Sequence, residues 1–207
     1  MSSRKLLPLS GALSVVLILV SFAIAGEPPD VDAVPDDLLS YYTDDSLQIG
    51  AALLALGSFF FLVFSATVAT ALRGGLDRDR GSTAAKVSFA GGIVFTVGMT
   101  IFSGLAFTAG EVAEDVAPST LQTLNALEMN MFFTVAVGTA AFLIGTGIGL
   151  LKSGLLPRWM GWVAIALGVL AITPAGFVAF LGLGVWTLVA SAMLAMRNGE
   201  DPMPGVD

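Results

Sequence analysis

Charge is kept out of long stretches of this chain. Leu6–Ala25, Leu47–Leu72, Val87–Ala109 and Met129–Leu151 contain no Asp, Glu, Lys or Arg, and another uncharged run extends from Trp159 to Met196. Such runs reach or approach the ~20 residues that cross a hydrocarbon layer of ~30 Å. Only 12% of the chain is charged, against ~25% in soluble domains, which leaves too little polarity to cover a soluble fold. The alternating ten-residue segments of a membrane β-barrel are absent, and Leu/Ala/Val/Gly runs stand in their place.

The final run is too long for one crossing. Thr173-Pro174-Ala175-Gly176 divides it, because Pro lacks an N–H and Gly tolerates positive φ. The expected fold is all-α: a single integral membrane domain over residues 1–207, a polytopic bundle of six transmembrane helices with a short outer surface helix. The spans are Leu6–Ala25, Leu47–Leu72, Val87–Ala109, Met129–Leu151, Trp159–Ile172 and Ala175–Met196.

Charge also orients the bundle. Every basic residue falls in alternate segments: Arg4 and Lys5, then Arg73, Arg78, Arg80 and Lys86, then Lys152 and Arg158, then Arg197. The intervening segments hold Glu27, Asp30, Asp32, Asp36, Asp37, Asp44 and Asp45, then Glu111, Glu114, Asp115 and Glu128. The positive-inside rule places both termini in the cytoplasm. The first segment ends Ala23-Ile24-Ala25-Gly26, which a signal peptidase would accept. It is nevertheless longer than the ~7–15 apolar residues of a signal peptide, so it is expected to remain as a first span.

What the chain lacks narrows its chemistry. It has no Cys and no His. That removes disulfide exchange, thiolate catalysis, Cys-bound metals, bis-His haem, His-zinc sites and His-dependent triads. The inner loop RGGLDRDRGSTAAK has glycines but not the GxxxxGK[ST] order that cradles phosphate. No ionisable residue falls at mid-membrane, which argues against a pump with a buried carboxylate. The chain is expected to be non-enzymatic and to carry no cofactor, with no catalytic, cofactor-binding or metal-ligating residue.

The outer loops hold the candidate polar cluster. Pro35 is followed by Asp36 and Asp37, carboxylates that suit the positive end of a helix dipole. Leu38, Leu39, Tyr41 and Tyr42 then fit a short surface helix, with the tyrosines either an aromatic belt at headgroup level or part of a lid over an outward cavity. Ser119 with Gln122 matches a capping box, so the fourth helix is expected to begin there. Glu128 lies roughly 34 Å up that helix from Leu151, at headgroup level. Asn125 is one turn before it on nearly the same face, while Asn130 points elsewhere. Tyr41, Tyr42, Asn125 and Glu128 are the expected cluster, either a cation or substrate site or solvated side chains pairing with neighbouring helix ends. Eleven acidic residues without a basic one on that face suggest weak divalent cation binding through oxygen ligands.

Small residues recur at helical spacing within the spans. Gly92, Thr96, Thr100, Gly104 and Thr108 do so in the third, Ala141, Gly145 and Gly149 in the fourth, and Gly161, Ala164, Gly168 and Ala171 in the fifth. Such stripes let backbones approach where lipid offers no hydrophobic drive. They point to a tight core of spans three to five or to an oligomer interface.

Three stretches, GEPPDVDAVPDDLLSYYTDD, TLNALEMNMFFTVAVG and LPRWMGWVAIALGVLAITPAGFVAFLGLGVWTLVASAML, carry a resemblance. The chain resembles a family of small multi-span bacterial membrane proteins of actinobacterial type, a domain of unknown function. The resemblance implies six spans with the first retained, in the bacterial plasma membrane, and brings no catalytic residue, substrate or partner. Where relatives have Asp-His after the tyrosine pair, this chain has Asp44-Asp45, which removes a histidine-based role there. The expected partners are the lipid bilayer and a second copy or another membrane protein, not nucleic acid. Two functions compete: a structural or accessory bundle, and a permeation protein for small molecules or ions with an outer vestibule near Glu128. A polar, water-filled cavity running inward from Glu128 would favour the second, and a dry core the first.

Overall fold

A computed structural model describes residues 7–26, 28–30, 32–74 and 81–200. Among them are seven helices and no strand: α1 (Leu9–Ala25), α2 (Pro35–Tyr42), α3 (Asp45–Gly74), α4 (Gly81–Val112), α5 (Pro118–Ser153), α6 (Arg158–Ala171) and α7 (Gly176–Glu200). Arg4, Lys5, Glu27, Arg78 and Arg80 of the charge pattern lie outside the described residues. Four helices are long and apolar enough to cross a membrane: Asp45–Gly74, Thr83–Val112, Pro118–Ser153 and Gly176–Arg197. The apolar helices α1 and α6 are shorter, at 17 and 14 residues.

Proline starts several of these helices. Pro35 and Pro118 occupy the first turns of α2 and α5, where their missing N–H is no loss and their fixed φ is already helical. The residues before them, Val34 and Ala117, are held extended at ψ 152° and 146°, as proline demands. The Ser119–Gln122 capping box does not form. Ala117 takes the N-cap position without a side-chain cap, because Pro118 moves the helix start upstream and leaves Ser119 within the first turn. Asp44 does cap a helix: its Oδ1 accepts the Ser46 N–H at 2.8 Å. That bond holds the Asp44 carboxyl below the usual carboxylate range. At the other end of α5, Gly154 takes the left-handed conformation (φ 63°) and returns its N–H to Leu150 O, the usual glycine C-cap. The expected turn between the last two helices is present, with the Gly176 N–H reaching Thr173 O at 2.9 Å.

The most extensive helix pair is α4 with α5, and glycines bring it together. A Cβ on Gly138 would lie 2.6 Å from Phe95 Cα, and one on Gly91 would lie 2.7 Å from Phe142 Cα. Gly145 meets the Ser88 backbone in the same way. Gly91 with Gly98, and Gly138 with Gly145, are each seven residues apart, the period of helices packed along a shared seam. The stripe expected in the third span behaves differently. Gly92 packs on Ser65 of α3, but Thr100, Gly104 and Thr108 are exposed. A strict four-residue spacing drifts around a helix of 3.6 residues per turn, so the stripe leaves the interface after two turns. The fifth-span stripe does face its neighbour, with Gly161 against Gly147 O and Gly168 against Ala140 O of α5. Gly50 and Gly57 of α3 seat α1, meeting Ala25 and Ile18.

Aromatic side chains fill the centre. Phe61, Phe64, Phe95, Phe142 and Trp186 are all buried in one cluster. Ring centroids stand 4.3 Å apart for Phe61 and Phe95 and 5.0 Å for Phe61 and Phe142. Trp186 crosses from α7 to donate its Nε1–H to Met160 O of α6 at 3.1 Å. If α4 and α5 depend on backbone contact, Gly138→Ala must shift a helix and should cost about 1–3 kcal/mol. Gly104→Ala has nothing within 4 Å of its Cβ and should leave stability unchanged or slightly raised. Thermal unfolding of the two variants in detergent checks the contrast.

Candidate functional site

Helix α2 lies against the ends of α4 and α5. Leu38 and Tyr42, one turn apart on α2, are each 1% exposed. They form a second apolar cluster with Leu47, Ala106, Ala109, Ala113 and Leu121. The alternation of an eight-residue helix explains this: its Leu38–Tyr42 face turns inward while Leu39 and Ser40 stay exposed. Tyr42 is therefore a buried anchor and not a lipid-facing belt residue. Tyr41 is half-buried and meets Tyr42 edge to face, with ring centroids 5.1 Å apart.

Three of the four expected cluster residues share hydrogen bonds. The Tyr42 hydroxyl is 2.9 Å from Glu128 Oε2 and 3.0 Å from Asn125 Oδ1. Asn125 and Glu128 are 0% and 1% exposed, because their three-residue spacing on α5 points both at α2. Asn125 Nδ2 donates to Pro29 O at 3.3 Å and Asp30 O at 3.2 Å. Asn130 lies elsewhere, exposed, donating to Ala126 O within its own helix. The other described acidic residues of this end are exposed, so Glu128 is the exceptional one.

The donor count constrains the network. Two carbonyls fix the Asn125 amide with its nitrogen toward the Pro29–Asp30 segment, so its oxygen faces Tyr42. Tyr42 has one proton and two acceptors beside it. Its single proton is shared between the two acceptors, Asn125 Oδ1 and Glu128 Oε2, so the hydroxyl serves both polar groups of α5. The phenol keeps its proton: burial, and then the neighbouring Glu128, push the Tyr42 hydroxyl well above its ordinary range. Tyr41 is raised for the same two reasons.

Below Glu128 is a small cavity whose lining includes Tyr41, Ser21, Ser103 and Glu128. Its volume is ≈ 20 Å³, space for about one water. The two serines are already committed, Ser21 Oγ to Gly50 O at 2.8 Å and Ser103 Oγ to Ala51 O at 2.7 Å. They tie α1 to α3 and α4 to α3. Among the described residues no three acidic side chains gather as a metal site would require. The carbonyls of Pro29 and Asp30 were not foreseen as partners. Pro28-Pro29 was their signal, since consecutive prolines supply carbonyls without donors.

No protein family, curated protein or solved structure matches this chain.

The Tyr42–Asn125–Glu128 network can be tested by three substitutions at two positions. Tyr42→Phe strands Asn125 Oδ1 and Glu128 and should cost about 1–3 kcal/mol. Glu128→Ala should cost a similar amount, whereas Glu128→Gln keeps an acceptor oxygen for the Tyr42 hydroxyl and should cost clearly less than Glu128→Ala. Thermal or denaturant unfolding in detergent reads all three.

Proposed function

We propose that this chain is a six-span protein of the bacterial plasma membrane with a structural or accessory role and no enzymatic one. The observation that supports this reading is the closed interior beneath Glu128. The cavity there has room for about one water, its serines are hydrogen-bonded across helices, and α4 and α5 meet backbone to backbone. A polar path toward the membrane centre would need open space and free donors, and this end of the bundle provides neither. In this reading Tyr41, Tyr42, Asn125 and Glu128 hold α2 and the preceding loop over the bundle as a fixed outer cap.

The two shorter helices are read as crossings as well. At about 1.5 Å per residue, α1 spans about 25 Å and α6 about 21 Å. The local bilayer and the flanking Arg158 and Trp159 can absorb that shortfall. Packing of α1 along α3, with Ser14, Val15, Ile18 and Ser21 buried, supports its retention in the mature protein. Contacts of Leu72 with Gly149, Ala84 with Gly145, and Arg197 with Leu155 O gather the basic ends of α3, α4, α5 and α7. Tyr42, Glu128 and the exposed acidic residues occupy the opposite end. That separation supports cytoplasmic termini under the positive-inside rule.

Two measurements test the reading. Cysteines placed at the exposed Ser40 and Ser119 should label from outside intact cells, and one at Ser153 should label only after lysis. Labelling of Ser153 in sealed cells would reverse the orientation. Proteoliposomes containing the purified protein should hold K⁺ and small organic solutes as well as protein-free vesicles do. Protein-dependent efflux, altered by Glu128→Gln, would instead establish the permeation reading.

A further inference from the structure

The turn between α5 and α6 runs beside the last turns of α7. Gly154, in its left-handed conformation, ends α5, and Pro157 caps the start of α6. From α7 the Arg197 guanidinium donates to Leu155 O. That bond takes one of the five N–H donors of an arginine and holds the group beside the turn. Between these parts lies an open recess of ≈ 600 Å³, lined by residues 154–157 of the turn, Arg158, Met193, Met196 and Arg197.

The lining joins two chemistries. Leu155, Leu156, Met193 and Met196 make an apolar side. Arg158 and Arg197 make a cationic one, and both are exposed as well as lining the recess. Among the described residues no acidic side chain lines it. Helix α6 begins there without a side-chain cap, so the positive end of its dipole adds to the two arginines. Guanidinium groups match phosphate oxygens in charge and in the geometry of their donors. A soluble anion would leave the leucines and methionines without a role, whereas a phosphate carrying a hydrocarbon chain fits both sides. The level agrees: Trp159, beside Arg158, is 55% exposed, and tryptophan collects where hydrocarbon meets head groups.

We infer that the recess between the α5–α6 turn and the end of α7 binds an anionic phospholipid. Its phosphate lies between Arg158 and Arg197, and an acyl chain runs along Leu155, Met193 and Met196. The inference rests on reading these helices as membrane spans, but not on which end faces the cytoplasm. A reversed orientation would appear as labelling of Ser153 in sealed cells and would leave lipid binding in detergent unchanged.

Dioleoyl phosphatidylglycerol and dioleoyl phosphatidylcholine are the probes, each titrated into the delipidated full chain in neutral detergent and read by native mass spectrometry. One phosphatidylglycerol should bind at least ~5-fold more tightly than phosphatidylcholine, the effect of a single well-placed arginine. Glycerol phosphate, the head group without its chains, should not displace it. Arg158→Gln should weaken phosphatidylglycerol ~5-fold and leave phosphatidylcholine unchanged. Arg73→Gln removes an exposed arginine of α3 that does not line the recess, and it should change neither. Met196 is 63% exposed, so Met196→Glu sets a carboxylate in the recess without disturbing the core and should weaken phosphatidylglycerol at least as much as Arg158→Gln. Equal affinity for the two lipids, or an equal loss with Arg73→Gln, would overturn the inference by showing only general surface charge. Displacement by glycerol phosphate would assign the recess to a soluble phosphate compound instead. Binding that appears only after residues 201–207 are removed would make the chain's own acidic end, with Asp201 and Asp207, the occupant.

Discussion

Backbone-to-backbone contact between α4 and α5 is the constraint on which the other packing depends. Where Gly91, Gly138 and Gly145 bring the two helices together, no side chain separates them, and dispersion contacts and close dipoles replace the hydrophobic drive that lipid cannot provide. The remaining helices are arranged around this pair. Helix α6 lies along α5 through its own glycines, α3 fits against α4 through Ser65 and Gly92, and α1 is carried by α3. The large aromatic rings then occupy the space that the small residues leave. Phe142 illustrates the division, since its backbone faces Gly91 while its ring reaches Phe61 and Trp186.

The acidic end follows a different logic. There a short helix has to be held without a long apolar face, and eight residues alone form a marginal helix. Leu38 and Tyr42 supply burial, and the Tyr42 hydroxyl supplies direction by reaching two polar groups of α5 at once. Asn125 extends the same network to the loop before α2. One side chain of α5 thus fixes the loop, and the helix that follows it is fixed through Tyr42.

Much of this was legible in the residues. Uncharged runs located the helices to within a few residues at most ends, and the Thr173–Gly176 turn separated α6 from α7 as expected. Tyr42, Asn125 and Glu128 were singled out by position and do meet, because the three-residue spacing on α5 is a local property that sequence displays directly. The contact across 86 residues, from Tyr42 to Glu128, is not local, and whether the tyrosine faced lipid or protein could not be read from α2 alone. Spacing of small residues misled in the third span, since several registers of Gly and Thr are present there and only the partner helix selects one. The Gly91–Gly98 register was the one chosen, and Gly138–Gly145 opposite it was the available clue. The start of α5 fell one residue from the expected Ser119, but the expected capping box did not form, because Pro118 at the first turn makes Ala117 the N-cap.

The seam between α1 and α7, where Gly11 packs against Ser191, joins the first described helix to the last. A ribosome delivers the chain from its N-terminus, so the contact between α1 and α7 cannot form until α7 has been made. Until then Ser14 and Phe61 have no α7 against them. The bundle is thus left open along one side for most of its synthesis. Among the described helices, contacts between α1 and α7 are therefore the latest that the order of synthesis allows.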